Sequence, residues 1–147
     1  MRRERRSNRR RGQSMVEFAL VLPIFMLVLS GILDFGFALY SRMSVISAAR
    51  EGARAAIMVP DNTTITSVAQ AAAISAGAGA GLTLGTPTVT CIQTSASPSS
   101  TTVIDCTTAV SGDSVAVRVN FSYHSFFPLT MGATIDLSST VQMVIEF

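Results

Sequence analysis

Hydrophobic and polar positions follow two different rhythms along this chain. From Phe18 to Leu33 no residue is charged, and with Asp34 set aside the apolar character runs on through Tyr40. The spacing stays helical beyond that point. Arg42-Met43-Ser44-Val45-Ile46-Ser47-Ala48-Ala49 places apolar residues three and four apart, and no strong breaker comes before Pro60. One helix from about Ser14 to Met58 is therefore predicted, roughly 65–70 Å long at 1.5 Å per residue. Pro23 falls inside it, where a membrane helix tolerates proline with at most a kink.

Asp61-Asn62-Thr63-Thr64 reads as a turn and N-cap. Thr64 to Ala76 follows as a second, alanine-rich helix, which ends in Gly77-Ala78-Gly79-Ala80-Gly81. That glycine run lacks the preceding strand and following lysine of a phosphate loop, so it reads as a flexible connector. The period then changes from helical to two. Thr88–Thr94 and Thr101–Thr108 are rich in Thr and Val and are separated by a Ser/Pro loop. After the turn Ser111-Gly112-Asp113, Val115, Val117, Val119, Phe121 and Tyr123 alternate with Ala116, Arg118, Asn120, Ser122 and His124. A loop through Pro128 and Gly132 leads to a last alternating stretch, Ile135 to Ile145, read as one strand or as a pair divided near Ser138-Ser139. The sum is an α+β chain of two helices followed by three or four antiparallel strands.

Charge decides how the first helix is used. Residues 1–12 carry seven arginines against Glu4, whereas the remainder has four arginines against eight carboxylates. A basic tail suits nucleic acid or an anionic membrane, but no basic or aromatic interleaving continues past it, so nucleic acid is set aside as a partner. Because the run abuts an apolar stretch, it acts as a topology signal that keeps the N-terminus in the cytoplasm. Sixteen uncharged residues cover about 24 Å, and the extension to Tyr40 spans a roughly 30 Å hydrocarbon core with ease. A secretory signal peptide would end in a small-x-small cleavage site, and Phe35-Gly36-Phe37 stands there instead. The expected layout is a basic leader over 1–12, a transmembrane helix over 13–41, and an extracytoplasmic head over 42–147. The head is helical to about residue 76 and β-rich over 86–147.

Within that layout one carboxylate stands out. Glu17 sits at the mouth of the apolar helix, five residues after Gly12, and an ionised group there needs a partner or a route to water. Read alone, it snorkels to the cytoplasmic headgroups. The basic leader, Gly12, Gln13, Glu17 and Phe18 together resemble the type III signal of the type IV pilin superfamily. The wider stretch Val16-Glu17-Phe18-Ala19-Leu20-Val21-Leu22-Pro23, with Ala49-Arg50-Glu51-Gly52-Ala53-Arg54 later, resembles the TadE-like family. These are pseudopilins or minor pilins of the tight-adherence (Tad/Flp) pilus machinery.

The resemblance implies a pilin-like fold, cleavage after Gly12 by a membrane prepilin peptidase, and a new α-amino group on Gln13 that pairs with Glu17 of a neighbouring subunit. It implies other pilin-like subunits, the assembly platform and the cytoplasmic membrane as further partners, with no cofactor and no metal. Gln13 departs from the Phe that many major pilins place first after the cut. Ala48, Gly52 and Ala56 lie four apart on one helix face, a spacing that permits close backbone approach, with Arg50 and Arg54 on a neighbouring face. These five are expected to pack against subunits. Asp34 is expected at the far headgroups, or, as the less favoured role, opposite an arginine such as Arg42 of another subunit.

Cys91 and Cys106 are the only cysteines. They are either two buried thiols or, in an oxidising exterior compartment, a bridge tying two strands of the head. Export of that half favours the bridge. Two cysteines with no nearby histidine are too few for a zinc site. His124, the only histidine, falls on the polar face of a strand, and no Ser-His-Asp or paired-carboxylate set can be assembled. The reading is therefore a non-enzymatic protein. Its alternative is an uncleaved, signal-anchored surface protein that binds a ligand through a disulfide-braced β-rich head.

Overall fold

The computed structural model describes residues 5–94, 101–125 and 133–146, with the side chains of 5–11, 94 and 101 left aside. Arg2, Arg3 and Glu4 of the leader, the Ser/Pro loop, and the loop through Pro128 and Gly132 lie outside the described residues.

One helix, α1, runs from Arg5 to Ile57 with Pro23 inside it. At 53 residues it is about 80 Å long, and it starts earlier than the apolar pattern alone indicates. From residue 12 to residue 29 it is exposed throughout and, Glu17 apart, uncharged: Met15, Val16, Phe18, Leu20 and Phe25 are all more than half exposed. A helix hydrophobic all round belongs in a membrane or a core, and α1 is long and apolar enough to cross a bilayer, with a mean hydropathy of 2.4 over its most apolar window. The upper half is different. Val45, Ala48, Ala49, Ala53 and Ala56 form a buried stripe against the head.

Past Pro60, Asp61 caps a single 3-10 turn over Asn62–Thr64, its carboxylate accepting from the Thr63 amide at 3.0 Å and the Thr63 hydroxyl at 2.8 Å. Helix α2 then spans Ile65–Gly79, three residues further than expected. It buries Ile65, Ala69, Ala73 and Gly77, each four residues from the last. The glycine run is thus partly helix rather than a free connector. Leu84 folds back onto Gly77 where any side chain would stand, and Gly81, at φ 75°, takes the left-handed conformation that closes the helix end.

Four strands follow: β1 (Thr88–Thr94), β2 (Thr101–Ile104), β3 (Ser114–His124) and β4 (Thr134–Val144). They form one antiparallel sheet in the order β2-β1-β3-β4. β4 is a single strand, continuous through Ser138-Ser139. β2 stops at Ile104, short of the expected Thr108, because Asp105 accepts from the Thr107 amide and turns the chain into a second 3-10 turn at Cys106–Thr108. The helices cover one face of the sheet, and Val115, Val117, Val119 and Ile145 complete the core beneath them. This is an α+β protein with a pilin-like layout: a long N-terminal helix, a second helix, and a four-stranded antiparallel sheet.

Candidate functional site

Gly12 and Gln13 lie within the continuous helix, both exposed, and nothing stands within 4 Å of the position a Cβ on Gly12 would take. One turn on, Glu17 is exposed between apolar neighbours, with Phe18 66% exposed beside it. This segment projects away from the head, so the chain leaves the carboxylate of Glu17 open to whatever surrounds the helix.

The small-residue stripe is used differently from its expected role. Ala48 and Ala56 are fully buried within this one chain. At Gly52 a Cβ would come 2.9 Å from the Ala69 carbonyl oxygen, 3.0 Å from the Ala73 Cβ and 3.2 Å from a Val117 methyl. The close backbone approach foreseen for Ala48, Gly52 and Ala56 is therefore made by α1 to its own α2 and β3, which leaves no room for a neighbouring subunit at these three positions. Arg50 and Arg54 face solvent and remain open to a partner.

The head also reaches further down α1 than a boundary at residue 42 implies. Ser41 is buried, and the Tyr40 hydroxyl donates to the Ala80 carbonyl at 3.1 Å. Lower still, the Tyr123 hydroxyl donates to Asp34 Oδ1 and the Ser125 hydroxyl to Asp34 Oδ2, each at 2.7 Å. The end of β3 is thereby fastened to the helix 89 and 91 residues earlier in sequence. Burial, then the hydrogen bond to Asp34 and its charge, push the Tyr123 hydroxyl up to about 12 from its usual 10.0. This double bond from the head is not readable from spacing. The signals that point to it are a carboxylate interrupting an apolar run and a tyrosine on the buried face of β3.

Cys91, in the middle of β1, is bonded to Cys106, just past the end of β2, with Cα atoms 5.1 Å apart. The second cysteine sits on the 3-10 turn rather than on a strand, and the bridge closes the β1–β2 hairpin against the core. Asp61 and Asp105 both cap turns of sequence Asp-x-Thr-Thr, and each carboxyl is held below the usual range, first by the amide and then by the hydroxyl two residues on. The two turns pack together, with Asn62 Nδ2 donating to the Ala109 carbonyl at 2.6 Å. Among the described residues no three of His, Cys, Asp and Glu gather as a metal site would need. His124 is exposed at the end of β3.

No curated protein and no solved structure matches the chain. One family model does match, and its limits coincide with features described above: it begins at Gly12 and ends at Arg54, covering the exposed apolar half of α1 and most of the stripe docked on the head. Over residues 12–54 this chain is similar to the TadE-like protein family.

Proposed function

We propose that this protein is a non-enzymatic pseudopilin or minor pilin of a Tad-type pilus system, serving pilus biogenesis and adhesion. The observation that carries the reading is the coincidence of the TadE-like match with Gly12, the residue five before Glu17 at the start of an apolar helical stretch, residues 12–29, that is exposed throughout. The arginine leader holds the N-terminus in the cytoplasm. A prepilin peptidase cuts after Gly12, and α1 remains as the anchor with the head on the other side.

The contact at Asp34 sets the length of that anchor. Among the described residues no hydrogen bond from the head reaches α1 below Asp34, which leaves residues 13–33 for the span. Twenty-one residues of helix measure about 31 Å, close to the roughly 30 Å hydrocarbon core. The membrane span is therefore shorter than the 13–41 stretch that hydropathy marks out, and residues 34–41 belong beside the head.

Inside the bilayer an isolated carboxylate is costly, and a cationic partner removes the cost. Cleavage creates such a partner, the Gln13 amine, one turn from Glu17 on the same helix. Between two subunits shifted along their axes, the amine of one meets the carboxylate of the other. Pairing sets the axial register, and an unpaired subunit is penalised. N-terminal sequencing and intact mass of protein isolated from membranes test the reading. Gln13 as the first residue is expected; a mature N-terminus elsewhere removes prepilin processing from the account.

A further inference from the structure

β4 is an outer strand, and its register with β3 runs without a bulge from Thr134 opposite His124 to Val144 opposite Ser114. The Ser125 amide donates to the Ala133 carbonyl, and the Ile145 amide to the Asp113 carbonyl. These bonds put the odd-numbered positions of β4 in hydrogen-bonded pairs with β3. The main-chain groups of Thr134, Asp136, Ser138, Thr140, Gln142 and Val144 consequently point outward, away from the sheet. All six residues are exposed, and among the described residues no strand pairs with them. Natural proteins blunt such edges with Lys, Pro, a bulge or a short strand. β4 is 11 residues long and has none of these devices, its single charge being Asp136.

Cations flank this edge from both sides. Arg42 of α1 shares a cleft of about 220 Å³ with Asp136, Leu137 and Ser138. Arg118 of β3 shares a second, of about 360 Å³, with the same three residues on the other face. Each cleft thus pairs one arginine with Asp136 in its lining, and the Asp136 carboxylate accepts from the Ser122 hydroxyl at 2.7 Å.

We propose that the free edge of β4 takes up an extended, acidic segment of a different protein chain, added as a fifth strand. Main-chain hydrogen bonds to the outward groups supply the grip. Carboxylates on alternate faces of the incoming strand reach Arg42 on one side and Arg118 on the other, which sets the choice of partner. A second copy of this chain fits less well. β3 descends to Asp34 and β4 climbs away from it, so β4 runs in the same direction as α1. Copies anchored in one membrane, a step that rests on the reading above, hold their β4 strands parallel. A twofold axis along the membrane normal would then set N–H against N–H and C=O against C=O.

The test uses full-length protein in nanodiscs and fluorescence anisotropy with an end-capped synthetic peptide of alternating Val, Thr and Glu, beside a counterpart with Lys in place of Glu. The Glu peptide is expected to bind and the Lys peptide to bind at least about tenfold more weakly. Ser138→Pro removes an outward N–H without taking a bond from β3, so it is expected to weaken binding roughly tenfold while leaving the melting temperature unchanged. Arg42→Glu with Arg118→Glu, both at exposed positions, is expected to reverse the preference between the two peptides. The proposal is overturned by equal binding of both peptides, by no binding of either, or by indifference to both sets of changes. Self-association abolished by Ser138→Pro would assign the edge to a second copy and overturn it as well. Because the measurement does not depend on where the N-terminus lies, its failure is separate from a failure of prepilin processing.

Discussion

Replacing Gly52 with alanine sets two effects of known size against each other. In a helix interior, alanine is favoured over glycine by about 1 kcal/mol. At this position the added Cβ would lie 2.9 Å from the main-chain oxygen of Ala69 and 3.0 Å from the Ala73 Cβ. Neither atom is the far end of a flexible side chain, so relief requires α2 to slide away from α1 along the stripe of Ile65, Ala69 and Ala73. Overpacking of that kind costs about 1–3 kcal/mol and outweighs the helical gain. The net loss is up to about 2 kcal/mol, which lowers the melting temperature of a head of this size by up to about 15 °C. Gly79→Ala is the control, since nothing lies within 4 Å of its Cβ position and only the propensity term acts. Thermal unfolding of both full-length variants in detergent, followed by circular dichroism, should therefore show Gly52→Ala below the wild type and Gly79→Ala level with it or above. A Gly52→Ala protein as stable as the wild type would refute the close α1–α2 contact on which this reasoning depends.

Tyr123→Phe should loosen the bottom of the head, at a cost of about 1–3 kcal/mol for a hydrogen bond to a carboxylate. Because the folded Tyr123 hydroxyl is raised to about 12, its contribution is fully present below pH 10 and is lost as pH rises towards 12. The stability gap between wild type and Tyr123→Phe should close over that window in pH-dependent melts, and a constant gap would count against the contact with Asp34. Reduction of Cys91–Cys106, which closes a span of 15 residues, should destabilise the head by about 3 kcal/mol; alkylation of either thiol in freshly isolated, unreduced protein would contradict the bridge. Glu17→Ala and Glu17→Gln should both be cut and inserted normally yet fail to assemble, with Glu17→Asp intermediate, since breaking a buried ion pair costs about 3–5 kcal/mol. Normal surface piliation by Glu17→Ala would return Glu17 to a snorkelling residue.

Alternation made β3 and β4 legible to within a residue at most ends, because one face of each packs on helices and the other meets water. The same rule misled at β2. Thr107 and Thr108 favour strands as residues, but Asp105 offers its carboxylate to the Thr107 amide and the chain turns instead. The four-residue spacing of Ala48, Gly52 and Ala56 correctly announced a close helix contact. Periodicity cannot say which helix is met, and here it is the chain's own α2 rather than another subunit. Asp34 was legible only as a carboxylate in an apolar run, since its partners Tyr123 and Ser125 come from the far end of the fold. The motif proposed at Gly12 and Glu17 is local in sequence, and local patterns are what a sequence displays most directly.

Because α1 is unbroken between Asp34 and Ile57 and pinned to the head at both ends of that stretch, it works as a stiff lever. No glycine pair, proline or loop between those residues can absorb a bend; the one proline, Pro23, lies in the free half. Any tilt of the stretch between Pro23 and Asp34 must then swing the whole sheet as a rigid body. Transmembrane helices tilt by about 20° on average, and the upper arm is about 36 Å long, so such a tilt carries the far end of the head sideways by about 12 Å. The reach of the β4 edge above a membrane is consequently set by the angle of a helical stretch, residues 12–29, that lies exposed below the head.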